Sequence, residues 1–192
     1  MLEDIIISRV RVKILTLFLS HPGVIFHVRD IVRRVSEEIN AVRRELAHMD
    51  KAGMVTKEQR ANRLFYGFRK DYPLYYELME LIGKTSGLGW DILKNKTKLG
   101  KIKFAMLSGR YTRGLARRSQ TDVDILVVGN VVLPELSQLV KAEEVRREKE
   151  LNYTVMTEEE FAFRKRRRDP FVLSILQGSR VMIIGDEEEL VN

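Results

Sequence analysis

Between Leu107 and Gly129 the chain reads LSGRYTRGLARRSQTDVDILVVG, a glycine turn and four arginines ahead of two aspartates spaced two apart. On a strand such residues project to one face, so Asp122 and Asp124 would aim both carboxylates at a common point. Paired hard oxygens suit a magnesium ion that arrives on a nucleoside triphosphate. Such an ion neutralises phosphate charge and orients it for in-line displacement. Gly109 would let backbone N–H groups approach a phosphate, and Arg110, Arg113, Arg117 and Arg118 offer it positive charge. An aspartate pair alone is more often an ordinary sheet edge; the glycine, the arginines and the preceding strand together make the reading specific.

These residues need a sheet to hold them. KIKFAML, 101–107, alternates as a short strand, and VDILVV is apolar nearly throughout, as a strand buried on both faces would be. A helix over 134–142, a strand from Leu151, helices over 158–168 and 170–176, and a closing VMIIGDEEEL complete an α/β layer around a central sheet. Met156 reads as core and Asp186 to Glu189 as a solvated end. The basic run from Arg164 to Arg168 could grip RNA, DNA or a second phosphate, or could be the solvated face of a helix fixed by Phe161 and Phe163.

On the motif of strand, glycine, arginine-glycine and aspartate pair, residues 101–192 are similar to the nucleotidyltransferase superfamily of the DNA polymerase β type, in its minimal form. The resemblance implies a nucleotide site at Ser108, Gly109, Arg110, Arg113 and Gly114, a metal pair at Asp122 and Asp124, and Mg²⁺ as cofactor. Two departures follow. Arg110 stands where the family has a serine, unless the glycine-serine is read inverted as Ser108 and Gly109. The family's third carboxylate falls at Asn152, with Glu150 two residues earlier on the same face. Asparagine cannot take a proton at neutral pH, so an Asn152 site would bind nucleotide and transfer it slowly or never, whereas Glu150 in the role, completing a catalytic set with Asp122 and Asp124, would keep activity. The weakened site is the expectation.

The first half carries the basic excess. Residues 1–100 hold 18 Lys+Arg against 12 Asp+Glu, and residues 101–192 hold 16 against 15, within a net charge of +7. A polyanion is the partner this suggests, nucleic acid before membrane, with a merely soluble basic surface as the bland alternative. Val10, Ile14, Leu17 and Phe18 share a helical face that ends at Pro22 and Gly23, and Val28, Ile31, Val32 and Val35 mark a second helix. A third, about Glu37 to Ala52 with Ser36 as N-cap, carries Ile39, Val42, Leu46 and Met49 and stops at Gly53. A hairpin follows, turning at Arg60 to Asn62. Three helices and a two-stranded wing describe a winged helix-turn-helix, and the run over about 9–70 resembles the winged-helix domains of ArsR-like bacterial and archaeal regulators. The third helix would then enter a major groove with Asn40, Arg43 and Arg44, while Arg60, Asn62 and Arg63 at the wing reach phosphate. Each could equally be a solvated residue opposite a core stripe.

The expected organisation is α+β in two domains: a winged helix over 1–72, a connecting helix and hinge over 73–100 with Leu74, Leu78 and Leu81 as a stripe, and a nucleotidyltransferase-like domain with a mixed sheet over 101–192. With no cysteine and three scattered histidines, neither a disulfide framework nor a thiolate or histidine zinc site is available. No apolar run reaches the roughly 18 residues of a membrane span, and no signal segment opens the chain, so a cytoplasmic protein is expected. A homodimer is expected because winged-helix proteins usually read two-fold sites. The combined order resembles a group of prokaryotic transcriptional regulators, which implies double-stranded DNA as partner and a nucleoside triphosphate as ligand. The rivals are a working transferase acting on an RNA, protein or small molecule, and one half of a toxin–antitoxin pair.

Overall fold

The computed structural model describes Leu2 and residues 6–192. The chain divides into two compact units, Met1–Ile82 and Gly83–Asn192, each with its own core.

The first unit holds α1 (Arg9–Ser20), β1 (Phe26–His27), α2 (Val28–Val35), α3 (Ile39–Lys51), β2 (Val55–Arg60), β3 (Arg63–Phe68) and α4 (Tyr75–Thr85), whose last turn crosses into the second. Its small sheet is antiparallel in the order β1-β3-β2. The helical stripes meet in one core, where Ile14, Phe18, Ile31, Val42, Leu46 and Met49 are fully or almost fully buried. α3 ends as its sequence requires: Gly53 takes φ +71°, and the N–H groups of Gly53 and Met54 return to the carbonyls of Asp50 and Met49. Its start differs from expectation. Ser36 has left-handed φ and ψ and closes α2, so its hydroxyl cannot cap α3; the Glu38 carboxylate does so, accepting from the N–H groups of Asn40 and Ala41 at 2.6 and 3.1 Å. In α4 the buried residues are Tyr75, Met79 and Ile82, with Leu78 and Leu81 partly buried beside them and Leu74 exposed, and Tyr75 lies against the ring of Phe68.

The second unit begins with α5 (Gly87–Lys94), whose Leu88 and Ile92 enter its core, so the stretch expected as a connector is shared out between two packed helices. Then come β4 (Gly100–Ser108), α6 (Gly109–Thr112), β5 (Ile125–Val131), α7 (Leu133–Arg147), β6 (Tyr153–Met156), α8 (Glu158–Arg166), α9 (Pro170–Gln177), β7 (Arg180–Ile184) and α10 (Glu187–Val191). The sheet runs β6-β5-β4-β7 and is mixed: β4 is antiparallel to β5 and β7, and β5 is parallel to β6. Alternation sorts its side chains into two cores. Ala105, Leu107, Ile125, Val127, Val181 and Ile183 face α5 and α7, while Phe104, Met106, Leu126, Val128 and Met182 face α8, α9 and α10. Burial on both faces accounts for the unbroken apolar run of β5. Helix α7 extends five residues beyond the expected 142, held there by Glu143, which is buried and ion-paired to Arg147. The acidic end is a helix: Asp186 caps it, and Glu187 and Glu189 pair with Arg180 and Lys103. Among the described residues no helix is long and apolar enough to cross a membrane.

Candidate functional site

The aspartates do not lie on a strand. β5 starts at Ile125, and Asp122 and Asp124 occupy the turn leading into it. The strand's own geometry therefore does not aim them; hydrogen bonds do. The N–H of Asp124 donates to the Asn152 carbonyl at 2.7 Å, and the Asn152 N–H returns to Asp124 Oδ2 at 3.0 Å. The Asn152 amide nitrogen donates to the carbonyls of Asp122 at 2.8 Å and Gln120 at 3.1 Å. From the other side, the N–H of Ser108 at the end of β4 donates to the Asp124 carbonyl at 2.8 Å.

So held, both carboxylates line one cavity of about 140 Å³, together with Ser108, Arg110, Arg117, Arg118 and, from α9 and the turn before β7, Ser174, Ile175, Gly178 and Ser179. Asp124 is 2% exposed, and Arg117 Nε lies 3.7 Å from its Oδ2. Asp122 accepts from the Arg118 N–H at 2.6 Å and the Ser119 hydroxyl at 3.0 Å. The Arg118 N–H, helped by the Ser119 hydroxyl, keeps the Asp122 carboxyl below the usual carboxylate range and outweighs the opposing effect of burial. It stays ionised at neutral pH.

Three of the four arginines are already engaged. Arg110 donates through Nε to the Ala116 carbonyl at 3.0 Å, and its Nη2 reaches the same oxygen. Arg117 donates to the Glu150 carbonyl at 3.2 Å, and Arg113 to the Ser179 hydroxyl at 2.9 Å. Gly109 has a structural reason to be glycine. Its N–H donates to the Ser179 carbonyl at 2.6 Å, and a Cβ there would overlap the Ser179 side chain, so β4 and the turn before β7 could not approach. The Ser108 hydroxyl caps α6 by accepting from the Tyr111 N–H. Gly114, at φ +64°, turns the chain after α6; neither it nor Arg113 lines the cavity. Glu150 is exposed and lines a second, more open cavity with Arg117, Arg118, Ser119, Gln120, Leu151 and Asn152.

Spacing gave no hint of Ser174, Ile175, Gly178 and Ser179, which arrive from 50 or more residues beyond the aspartates through the pairing of β7 beside β4. The Gly-Ser pair before a strand is a loop signal and no more. Also missed is Glu143, 2% exposed, which accepts the Tyr111 hydroxyl at 2.7 Å and pairs with Arg146 and Arg147 at 2.9 and 2.6 Å. The Arg147 guanidinium lies 4.2 Å over the Tyr111 ring, fixing α6 against α7. Burial, ahead of the charges around it, pushes the Tyr111 hydroxyl well above where exposed tyrosines ionise.

In the first unit Asn40, Arg43 and Arg44 are exposed on α3, and none makes a side-chain hydrogen bond or ion pair among the described residues. Glu37 and Glu45, flanking them in sequence, are turned to α1 through Lys13 and Arg11. At the hairpin Asn62 and Arg63 are exposed, whereas Arg60 is forked onto Glu58 at 2.7 and 3.0 Å.

Residues 90–182, from α5 to β7, match the family model described as nucleotidyltransferase domain, so a nucleotidyltransferase domain is present in the second unit. No curated protein and no solved structure matches the chain.

Mg²⁺ commonly serves such domains, and two carboxylates on one cavity fit it. The ion is usually held by one or two carboxylates plus substrate phosphates and water. Asp124 Oδ1 has no donor among the described residues, and the other carboxylate oxygens each keep a lone pair. A site made of protein ligands alone does not fit: the described residues contain no cluster of three or more histidine, aspartate or glutamate side chains able to hold a metal.

Proposed function

We propose that the chain is a sequence-specific, duplex-DNA-binding regulator whose nucleotidyltransferase domain binds a magnesium nucleotide with little or no transfer. The observation that carries the nucleotide half is the cavity uniting Asp122, Asp124, Ser108 and Arg110 inside the matched domain. Asp122 and Asp124 would hold the ion, which supplies charge neutralisation to the phosphates. Arg110 and Arg118 face the same space with positive charge, and Ser108 adds a hydroxyl. Weak transfer is supported at Asn152. Its amide is spent on two carbonyls of the aspartate turn, a donor's task that a carboxylate could not do, and the nearest glutamate, Glu150, opens on the neighbouring cavity. Among the described residues, the carboxylates that line the aspartate cavity are the two aspartates themselves.

The DNA half reads the first unit as a winged helix-turn-helix, with α3 as recognition helix and the β2–β3 hairpin as wing. Its support is that Asn40, Arg43 and Arg44 are exposed on one side of α3 with no side-chain hydrogen bond or ion pair among the described residues, while Glu45 of that helix and Glu37 just before it pair with Arg11 and Lys13 of α1. The test is selection of a preferred duplex from a random pool, followed by binding of that duplex to Arg43→Ala/Arg44→Ala. Selection of a defined site and its loss in the double variant support the reading; an unselected pool, or unaltered binding, sinks it.

A further inference from the structure

The basic run at the end of α8 is not a uniformly solvated face. Arg164 is paired with Glu160 and Asp169, and Lys165 donates to the Leu190 carbonyl, so two of its five cations hold the fold. Arg166, Arg167 and Arg168 are exposed and make no ion pair among the described residues. Phe161 is buried, but Phe163 is 50% exposed, with the Arg167 guanidinium 5.0 Å over its ring. Helical spacing puts Phe163, Arg166 and Arg167 on one face.

Arg168 adds a conformational observation. It stands at φ +53°, just past the end of α8, where the N–H groups of Arg168 and Asp169 return to the carbonyls of Lys165 and Arg164. Glycine suits this left-handed position best, and the arginine side chain there makes no hydrogen bond or ion pair among the described residues that would offset the strain. The charge is also local: without Arg164 to Arg168 the rest of residues 101–192 is net acidic.

We infer that this corner between α8 and α9 is a docking surface for a single-stranded nucleic acid, with phosphates on Arg166 to Arg168 and a base stacked on Phe163. An exposed ring beside unpaired guanidinium groups is what an unpaired strand needs, since its bases are free to stack and its backbone is charged. A duplex would offer the charge but not the base face, and an acidic protein would leave the exposed ring unexplained. This surface lies in the second unit and α3 in the first, and the inference does not rest on nucleotide binding in the aspartate cavity.

The test is fluorescence anisotropy with a short labelled oligonucleotide of mixed sequence, as RNA and as DNA, added to the full chain over a salt series. The wild type should bind the RNA alone or both strands. Arg166→Ala/Arg167→Ala should weaken binding about tenfold or more and flatten the salt dependence by about 1.4 in log–log slope, near 0.7 for each lost phosphate contact. Phe163→Ala should weaken it by roughly tenfold with the slope unchanged. Arg168→Gly should lower affinity while the melting temperature holds or rises, which separates binding from folding. The inference is overturned if neither strand binds, if these variants bind as the wild type does, or if the only change that abolishes binding is Arg43→Ala/Arg44→Ala.

Discussion

Arginines crowd two places in this molecule, α3 with its hairpin and the cavity around Asp122 and Asp124, and the two crowds are used differently. On α3, Arg43 and Arg44 reach solvent with no side-chain partner among the described residues, and the helix is held by Glu37, Glu45 and an apolar stripe. Around the cavity, Arg110, Arg113 and Arg117 each donate to the protein itself. The count of arginines is similar and their availability is not. A positive charge already hydrogen-bonded to a buried or backbone partner must give up that partner before a ligand can use it.

The comparison breaks first at the buried end of the second network. Glu143→Ala leaves Arg146 and Arg147 without their buried partner and Tyr111 without its acceptor, and should lower the stability of the second unit by about 3–5 kcal/mol in denaturant titration. Next, Arg43→Ala/Arg44→Ala should change stability by no more than about 0.5 kcal/mol while reducing duplex affinity at least tenfold, because those side chains hold nothing else. Arg60→Ala at the hairpin should cost less binding, since Arg60 is already forked onto Glu58. Asn152→Asp removes two donors to the carbonyls of Gln120 and Asp122 and should destabilise by about 1–3 kcal/mol, without creating a working base.

The smallest effect is a pH dependence. Tyr111 is raised in the folded state from an ordinary value of 10.0, so its contribution to stability is fully present below about pH 10 and is lost as the pH climbs above it. In Tyr111→Phe, alkaline unfolding should lose that component, and in the wild type ultraviolet titration should show one tyrosine ionising only with unfolding.

How much of this could be read from the residues follows from range. The helical stripes of α1, α2 and α3, the stop at Gly53 and the unbroken apolar run of the doubly buried β5 are local patterns that burial enforces. Asp122 and Asp124 were visible by type and spacing, but the reason they share a cavity was not: it is Asn152, 28 residues on, bonded to Asp124. Ser36 misled because serine is a good cap, while its left-handed backbone is fixed by the tight passage from α2 to α3. Gly109 was read for a phosphate and is required by Ser179, a contact made only when β7 pairs with β4. Phe163 and Phe161 look alike in sequence, and only the sheet, against which Phe161 packs on Phe104, tells them apart.

The most direct test of the central claim, that the aspartate cavity is a magnesium-nucleotide site, is a calorimetric titration. ATP, GTP, CTP and UTP would each be added with Mg²⁺ to the wild type, to Asp122→Asn and to Asp124→Asn, with circular dichroism establishing that both variants are folded. The account predicts saturable, magnesium-dependent binding of at least one nucleotide to the wild type and its loss in both folded variants. Absence of binding to the wild type, or binding that survives in both variants, would contradict it.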